Sequence, residues 1–274
     1  MVSTAVAFTD MAPSPRTRID IDPADLDPEE AVSVTVWQTS PWGQVKVNRT
    51  PRPVAGGMVL DDFEVPGGVP VVYRVEQFDS MGATLGFALN LPVQVSWDLG
   101  DVILSDPLDP GRAVRVRAEK LFAGSLERGR SSSVYRAGAK TFVMSGPMSG
   151  FQKLTLRVVT ENEADRTTLG LITDQATMLV RAMPQTRLPG VLYVSVPSVP
   201  MLPFDARRRG NVDLWDLVGD EVSRPNIDIV VAVYSYDLFK AYLDAKYPPE
   251  ATYDDAATEW ATYVDAARTR PSPV

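Results

Sequence analysis

Val32, Val34 and Val36 alternate with Ser33, Thr35 and Trp37. A period of two places every second side chain on one side of an extended backbone, so this run gains an apolar face only as a strand. The turn residues Ser40-Pro41-Trp42-Gly43 follow, then a second alternating run from Gln44 to Asn48. Gly56-Gly57 and Pro66-Gly67-Gly68 bracket a short strand from Met58 to Phe63. Val69 to Phe78 is the next strong strand, Asp79-Ser80-Met81-Gly82 supplies its turn, and Gln94 to Trp97 ends the unit. Short strands punctuated by turns roughly every 8 to 12 residues predict a β-sandwich over residues 31–100.

Before it, residues 1–30 are rich in Pro and Asp and read as a turn-rich arm, with Arg16 to Ile21 as a candidate edge strand. After it, Ser105-Asp106-Pro107-Leu108-Asp109-Pro110-Gly111 is a dense cluster of breakers, expected between domains. Strand patterns return at Ala113 to Ala118, Thr141 to Ser145, Leu154 to Val159, Met178 to Arg181, Leu192 to Val196 and Ile227 to Tyr234. Thr160-Glu161-Asn162-Glu163 matches a capping box, with Thr160 accepting a helix N–H and Glu163 reaching back. Leu169 and Ile172 lie three apart on the helix this would start, which falls between two strands and so crosses over one end of a barrel or sheet. The expected fold is mostly β: a sandwich, a β-barrel-like domain over 101–235 with one crossover helix, and a C-terminal helical hairpin over 236–274. In that last segment Tyr253, Ala256, Ala257, Trp260 and Val264 recur at helical spacing, and Pro248-Pro249 separates its two helices.

The chain has 274 residues, no cysteine and no histidine. Without cysteine, disulfide frameworks and thiolate metal sites are excluded. Without imidazole, so are Ser-His-Asp nucleophile activation and HExxH zinc chemistry. Carboxylate or Ser-Lys chemistry survives, or none. The net charge of −8 disfavours a phosphate backbone as partner. No apolar run approaches the roughly 20 residues of a membrane helix. Met1 to Asp10 lacks the basic and apolar regions of a secretion signal.

No catalytic, cofactor-binding or metal-binding residue is assigned, and no cofactor is implied. The acidic run Asp20, Asp22, Asp25, Asp27 offers oxygens to a hard cation but lacks the EF-hand order, and reads as a solvated turn. Asp61-Asp62-Phe63-Glu64, or Asp98 with Asp101, supplies the two carboxylates a glycosidase needs, a pairing that chance alone provides among 35 acidic residues. There is no Walker A sequence and no GxGxxG. Asn48-Arg49-Thr50 is a glycosylation sequon. Trp37, Trp42 and Trp97 are candidates for exposed binding platforms or for sandwich packing. Arg207-Arg208-Arg209 reads as a solvated turn or an interface contact. Tyr253, Trp260 and Tyr263 either pack a helical hairpin on the barrel or anchor a neighbouring subunit.

Two stretches carry a resemblance. The strand Val32 to Trp37 ends in Trp, and the Tyr-centred strand Val71 to Phe78 runs into Asp79-Ser80-Met81-Gly82. Together they resemble the B and F strands of a fibronectin type III sandwich. The order of the whole chain, with Leu104-Ser105-Asp106-Pro107-Leu108-Asp109-Pro110 as its most distinctive motif, resembles minor tail proteins of phages that infect actinobacteria. The resemblance implies a virion protein of the tail tip or baseplate, of distal-tail type. It would form a threefold or sixfold ring and contact tail tube, tape measure and tip proteins. Two alternatives stay open: a host-surface carbohydrate-binding module, and a carboxylate-based cell-wall hydrolase.

Overall fold

A computed structural model describes residues 2–27, 30–120, 127–130, 132–137, 140–186, 188–203 and 212–225. The expected strand Ile227 to Tyr234, the helical segment with Tyr253, Trp260 and Tyr263, and the cluster Arg207, Arg208, Arg209 lie outside the described residues. The fold is mostly β, in two units that divide between Ser96 and Trp97.

The first unit is a two-sheet sandwich. Its strands are β1 (Thr4–Phe8), β2 (Arg16–Ile21), β3 (Ser33–Ser40), β4 (Gly43–Lys46), β5 (Arg52–Pro53), β6 (Met58–Asp62), β7 (Val71–Phe78) and β8 (Thr84–Val93). One sheet has the order β1-β2-β6 and the other β4-β3-β7-β8, with β5 also paired to β3. Ile19, Ile21, Met58 and Leu60 from the first sheet and Val34, Val36, Val71, Tyr73 and Val75 from the second are all buried. These are the alternate positions of each strand, so the period-two pattern has become the core. Residues 4–21, expected as an arm, instead supply β1 and β2. β2 is the middle strand of its sheet rather than an edge, because Ile19 and Ile21 give it an apolar face to bury. The turn Ser40 to Gly43 joins β3 to β4, with Gly43 at φ 126, a conformation open to glycine.

The second unit contains β9 (Asp101–Asp106), β10 (Asp109–Lys120), β11 (Glu127–Arg128), β12 (Ser132–Ala137), β13 (Lys140–Ser145), β14 (Phe151–Gln152), β15 (Leu154–Thr160), the helix α1 (Glu163–Thr173), β16 (Met178–Ala182), β17 (Val191–Ser198), β18 (Met201–Pro203) and β19 (Asp213–Glu221). Six strands run β15-β10-β9-β16-β17-β19, and β19 pairs back to β15 to close an antiparallel barrel. Its inward residues include Val102, Leu104, Val116, Leu156, Val158, Val180, Val194, Trp215 and Leu217. The helix α1 adds Leu169 and Ile172 to the same cluster. A six-stranded barrel is too narrow to leave a lumen once such side chains point inward.

Two local expectations are corrected. The breakers Ser105 to Gly111 do not separate domains; they form the turn of the β9–β10 hairpin. The Asp106 carboxylate accepts the Leu108 N–H at 2.8 Å and the Asp109 carboxylate accepts the Gly111 N–H at 3.0 Å. Asp side chains thus stand in for backbone partners in a tight reversal. The α1 cap is Asn162, whose Oδ1 accepts the Asp165 N–H at 2.8 Å. Thr160 is the buried last residue of β15, and its hydroxyl accepts the Trp215 indole N–H at 2.9 Å.

Candidate functional site

Between β10 and β15 the chain leaves the barrel as a long hairpin. Its base is pinned by β11 pairing with β14, by the Gly129 and Ser149 backbones, and by the Phe151 N–H donating to the Glu221 carboxylate at 2.8 Å. Beyond the base, among the described residues, β12 and β13 pair only with each other. Opposite residues share a face, so Tyr135 with Phe142 and Ser133 with Met144 lie on one side. Val134 with Val143 and Arg136 with Thr141 lie on the other. Val134 is 60% exposed, Phe142 54%, Val143 62% and Met144 68%. Each strand spans about 20 Å, and none of their side chains belongs to the described barrel core. A lone two-stranded hairpin is marginal in water, and clustered exposed apolar side chains of this kind mark contact surfaces.

A second surface lies on the outer face of the larger sandwich sheet. The Trp37 indole N–H donates to the Glu76 carboxylate at 2.8 Å, and the Lys46 ammonium sits 4.8 Å from the Trp37 ring centre. Phe87 tilts against Trp37 at 6.3 Å, and the Arg74 guanidinium lies 4.6 Å over Phe87. Cation–π and indole hydrogen bonds hold this row together. Of the three candidate platform tryptophans, Trp37 is half-buried in this row. Trp42 is exposed at the β3–β4 turn. Trp97 is buried in the other unit, donating to the Asp101 carbonyl at 3.1 Å beneath the Arg181 guanidinium.

The remaining sequence candidates take structural roles. Asp61 forms a bidentate pair with Arg18, both contacts at 2.9 Å. Asp62 is buried and accepts from the Tyr73 hydroxyl at 2.6 Å and the Gln38 amide at 2.7 Å. Both carboxylates are buried. Burial, then the Asp98 charge, raises the Asp101 pKa above the usual aspartate range. In the acidic run, Asp22 accepts the Ala24 N–H, Asp25 the Ser3 N–H and Asp27 the Glu30 N–H. Among the described residues no group of three or more His, Cys, Asp or Glu is placed to hold a metal ion. The Asn48 amide is buried and donates to the Val34 and Thr50 carbonyls, so the sequon is closed in the folded chain.

The sequence reading places a strand at Thr141 to Ser145 but misses its partner β12 and the isolation of the pair. One trace of this surface is visible in the sequence: residues 128–153 carry Arg128, Arg130, Arg136, Lys140 and Lys153 and no carboxylate.

Compared with known proteins, the chain matches no family model, no curated protein and no solved structure. Among the described residues no helix is long and apolar enough to cross a membrane.

Proposed function

We propose that this chain is a structural, non-enzymatic subunit of a bacteriophage tail tip, held in the virion as part of a threefold or sixfold ring. The observation that carries the reading is the exposed apolar hairpin β12–β13, anchored on a closed and filled barrel. A rigid body with a projecting apolar arm suits fixed assembly. The order of sequence features, which resembles minor tail proteins of actinobacterial phages, supplies the tail context. In this reading Arg207, Arg208, Arg209, Tyr253, Trp260 and Tyr263 are contacts between subunits or with tail tube, tape measure and tip proteins.

The sandwich is read as fibronectin type III-like. Its strand order supports this, with one change to the sequence alignment. In an immunoglobulin-type sandwich, B and F belong to opposite sheets, whereas β3 and β7 pair side by side. With β7 in the F place, β2 takes the B place and β3 the C place.

Light scattering across a concentration series, followed by electron microscopy of the chain with its neighbouring tail proteins, tests the proposal. A ring of three or six copies is expected. A chain that stays monomeric at high concentration, alone and with those partners, sinks it. A second reading, glycan binding by the sandwich, is favoured by the exposed Trp42 at the β3–β4 turn. Retention of the chain on host cell-wall material, lost in Trp42→Ala, would support that reading instead.

A further inference from the structure

We propose that the β12–β13 hairpin is an assembly arm that docks on the carboxylate-bearing surface of a second copy of this chain. The inference rests on the oligomeric reading above and assigns the contact that builds it.

Two observations meet in the hairpin. The first is its apolar surface: Tyr135 with Phe142 on one face and Val134 with Val143 on the other, all exposed, on strands that contribute no side chain to the described barrel core. Burying side chains of this size removes enough apolar area to hold an interface. The second is charge. All 35 Asp and Glu residues lie outside residues 128–153, which carry five basic residues. Residues 128–153 therefore carry a formal +5 and the rest of the chain −13. Arg136 and Lys140 flank the hairpin turn and are exposed. A basic arm on an acidic body is complementary to another copy of itself, and opposite fields steer and orient such encounters.

The position of these charges also selects between occupants. A hairpin built to enter a bilayer leads with apolar residues, whereas this one leads with Arg136 and Lys140 and keeps its aromatics behind them. A second protein copy meets both needs: its carboxylates receive the tip, and its surface covers the apolar pairs. The six barrel strands close on themselves, and the strand that ends the sheet, β18, spans only Met201–Pro203. Among the described residues of the second unit, the arm is a longer exposed β surface than β18.

The experiment uses the full chain in three forms: unaltered, Arg136→Glu with Lys140→Glu, and Phe142→Ser with Met144→Ser. All four positions are exposed, so the fold tolerates the changes; circular dichroism and melting verify that. Sedimentation velocity then reads self-association at low salt and at about 0.5 M salt, where the screening length falls to a few ångströms. The unaltered chain is expected to associate and to weaken with salt. Each double variant is expected to weaken association by at least about tenfold, and only the charge-reversed one is expected to lose the salt dependence. A photo-crosslinker on Val143→Cys, the chain's sole thiol, is expected to join labelled to unlabelled copies. Variants that associate as the unaltered chain does would overturn the arm and leave the ring standing. A monomeric unaltered chain would overturn the arm, and one that also stays monomeric with its neighbouring tail proteins would overturn the ring as well. Hairpin-dependent flotation with phosphatidylglycerol vesicles, or binding of a deoxythymidine oligomer, by a chain that does not self-associate would assign the hairpin to lipid or nucleic acid and overturn the proposal.

Discussion

The Tyr73 hydroxyl donates to the Asp62 carboxylate at 2.6 Å, linking β7 in one sheet of the sandwich to β6 in the other. Both residues are buried, and Gln38 from β3 donates to the same oxygen at 2.7 Å. A charge this deep is tolerated because donors converge on it. Burial, then the neighbouring Asp62 charge, pushes the Tyr73 pKa well above its ordinary value, so the phenol keeps its proton. Tyr73→Phe removes one donor and leaves the carboxylate short, at a cost of about 1–3 kcal/mol. Urea denaturation followed by the sandwich tryptophans reads this. A variant as stable as the parent would mean that Gln38 and the Glu64 N–H alone satisfy Asp62.

Asn48 acts as a clamp on β3. Its Oδ1 accepts the Val36 N–H at 2.6 Å and its amide donates to the Val34 carbonyl at 3.0 Å. Asn48→Ala strands buried backbone groups on a core strand, each worth about 1–3 kcal/mol. Asn48→Asp keeps the acceptor but loses the donor, so its melting temperature is expected between those of the parent and the alanine variant.

Two glycines predict opposite outcomes. Gly219 sits at the register shift between β17 and β19, where an added Cβ would run into the Ser195 carbonyl and the Val194 side chain. Gly219→Ala is expected to destabilise the barrel by about 1–3 kcal/mol through overpacking. Gly170 lies in α1 with nothing within 4 Å of its would-be Cβ. Gly170→Ala is expected to stabilise by up to about 1 kcal/mol, because glycine is a poor helix former. Calorimetry of both variants checks the pair.

Two aspartates predict opposite pH trends. The Arg157 guanidinium hydrogen-bonds the Asp216 carboxylate at 2.6 and 2.8 Å and holds its pKa below the ordinary 3.8. That stability is present above 3.8 and fades as pH falls through the lower folded value. Asp101 is raised above 3.8, by burial first and the Asp98 charge second. The folded state therefore holds its proton longer, and stability falls as pH rises from 3.8 through the raised value. Asp101→Asn is expected to gain on the parent as pH rises from 3.8 through the raised value, while Asp216→Asn is expected to lose ground as pH rises toward 3.8 and to hold that deficit above it. With rising pH, the difference in melting temperature from the parent would climb at pH above 3.8 for Asp101→Asn and drop at pH below 3.8 for Asp216→Asn; parallel curves would refute the assignment.

The strands legible in the sequence are those whose apolar residues alternate with polar ones. Val71 to Phe78 alternates buried with half-buried positions, and Val32 to Trp37 is legible because Ser33 and Thr35 interrupt its valines, although Thr35 is itself buried. β9 hides its period: Val102, Ile103 and Leu104 are all buried, so no polar face marks it. β19 hides its own through Asp213, Asp216 and Asp220, acids whose partners are distant in sequence: Arg166 on α1, Arg157 on β15 and the Lys153 N–H. β8 is shifted out of period by bulges, with Gly86 and Leu89 at positive φ. The misplaced cap has a similar origin, since the Thr160 hydroxyl serves Trp215, 55 residues away. In the candidate site the charge of residues 128–153 is written in the chain, but that no described sheet receives the hairpin is a property of topology, which no local pattern states.

Leu156, Val158, Trp215 and their neighbours occupy the barrel axis from wall to wall. Nothing can be threaded through a plugged cylinder. When such cylinders stand in a circle, the passage is the space they enclose, and its bore grows with the number of copies around it. Width would then be a matter of stoichiometry, untouched by any substitution inside a single barrel.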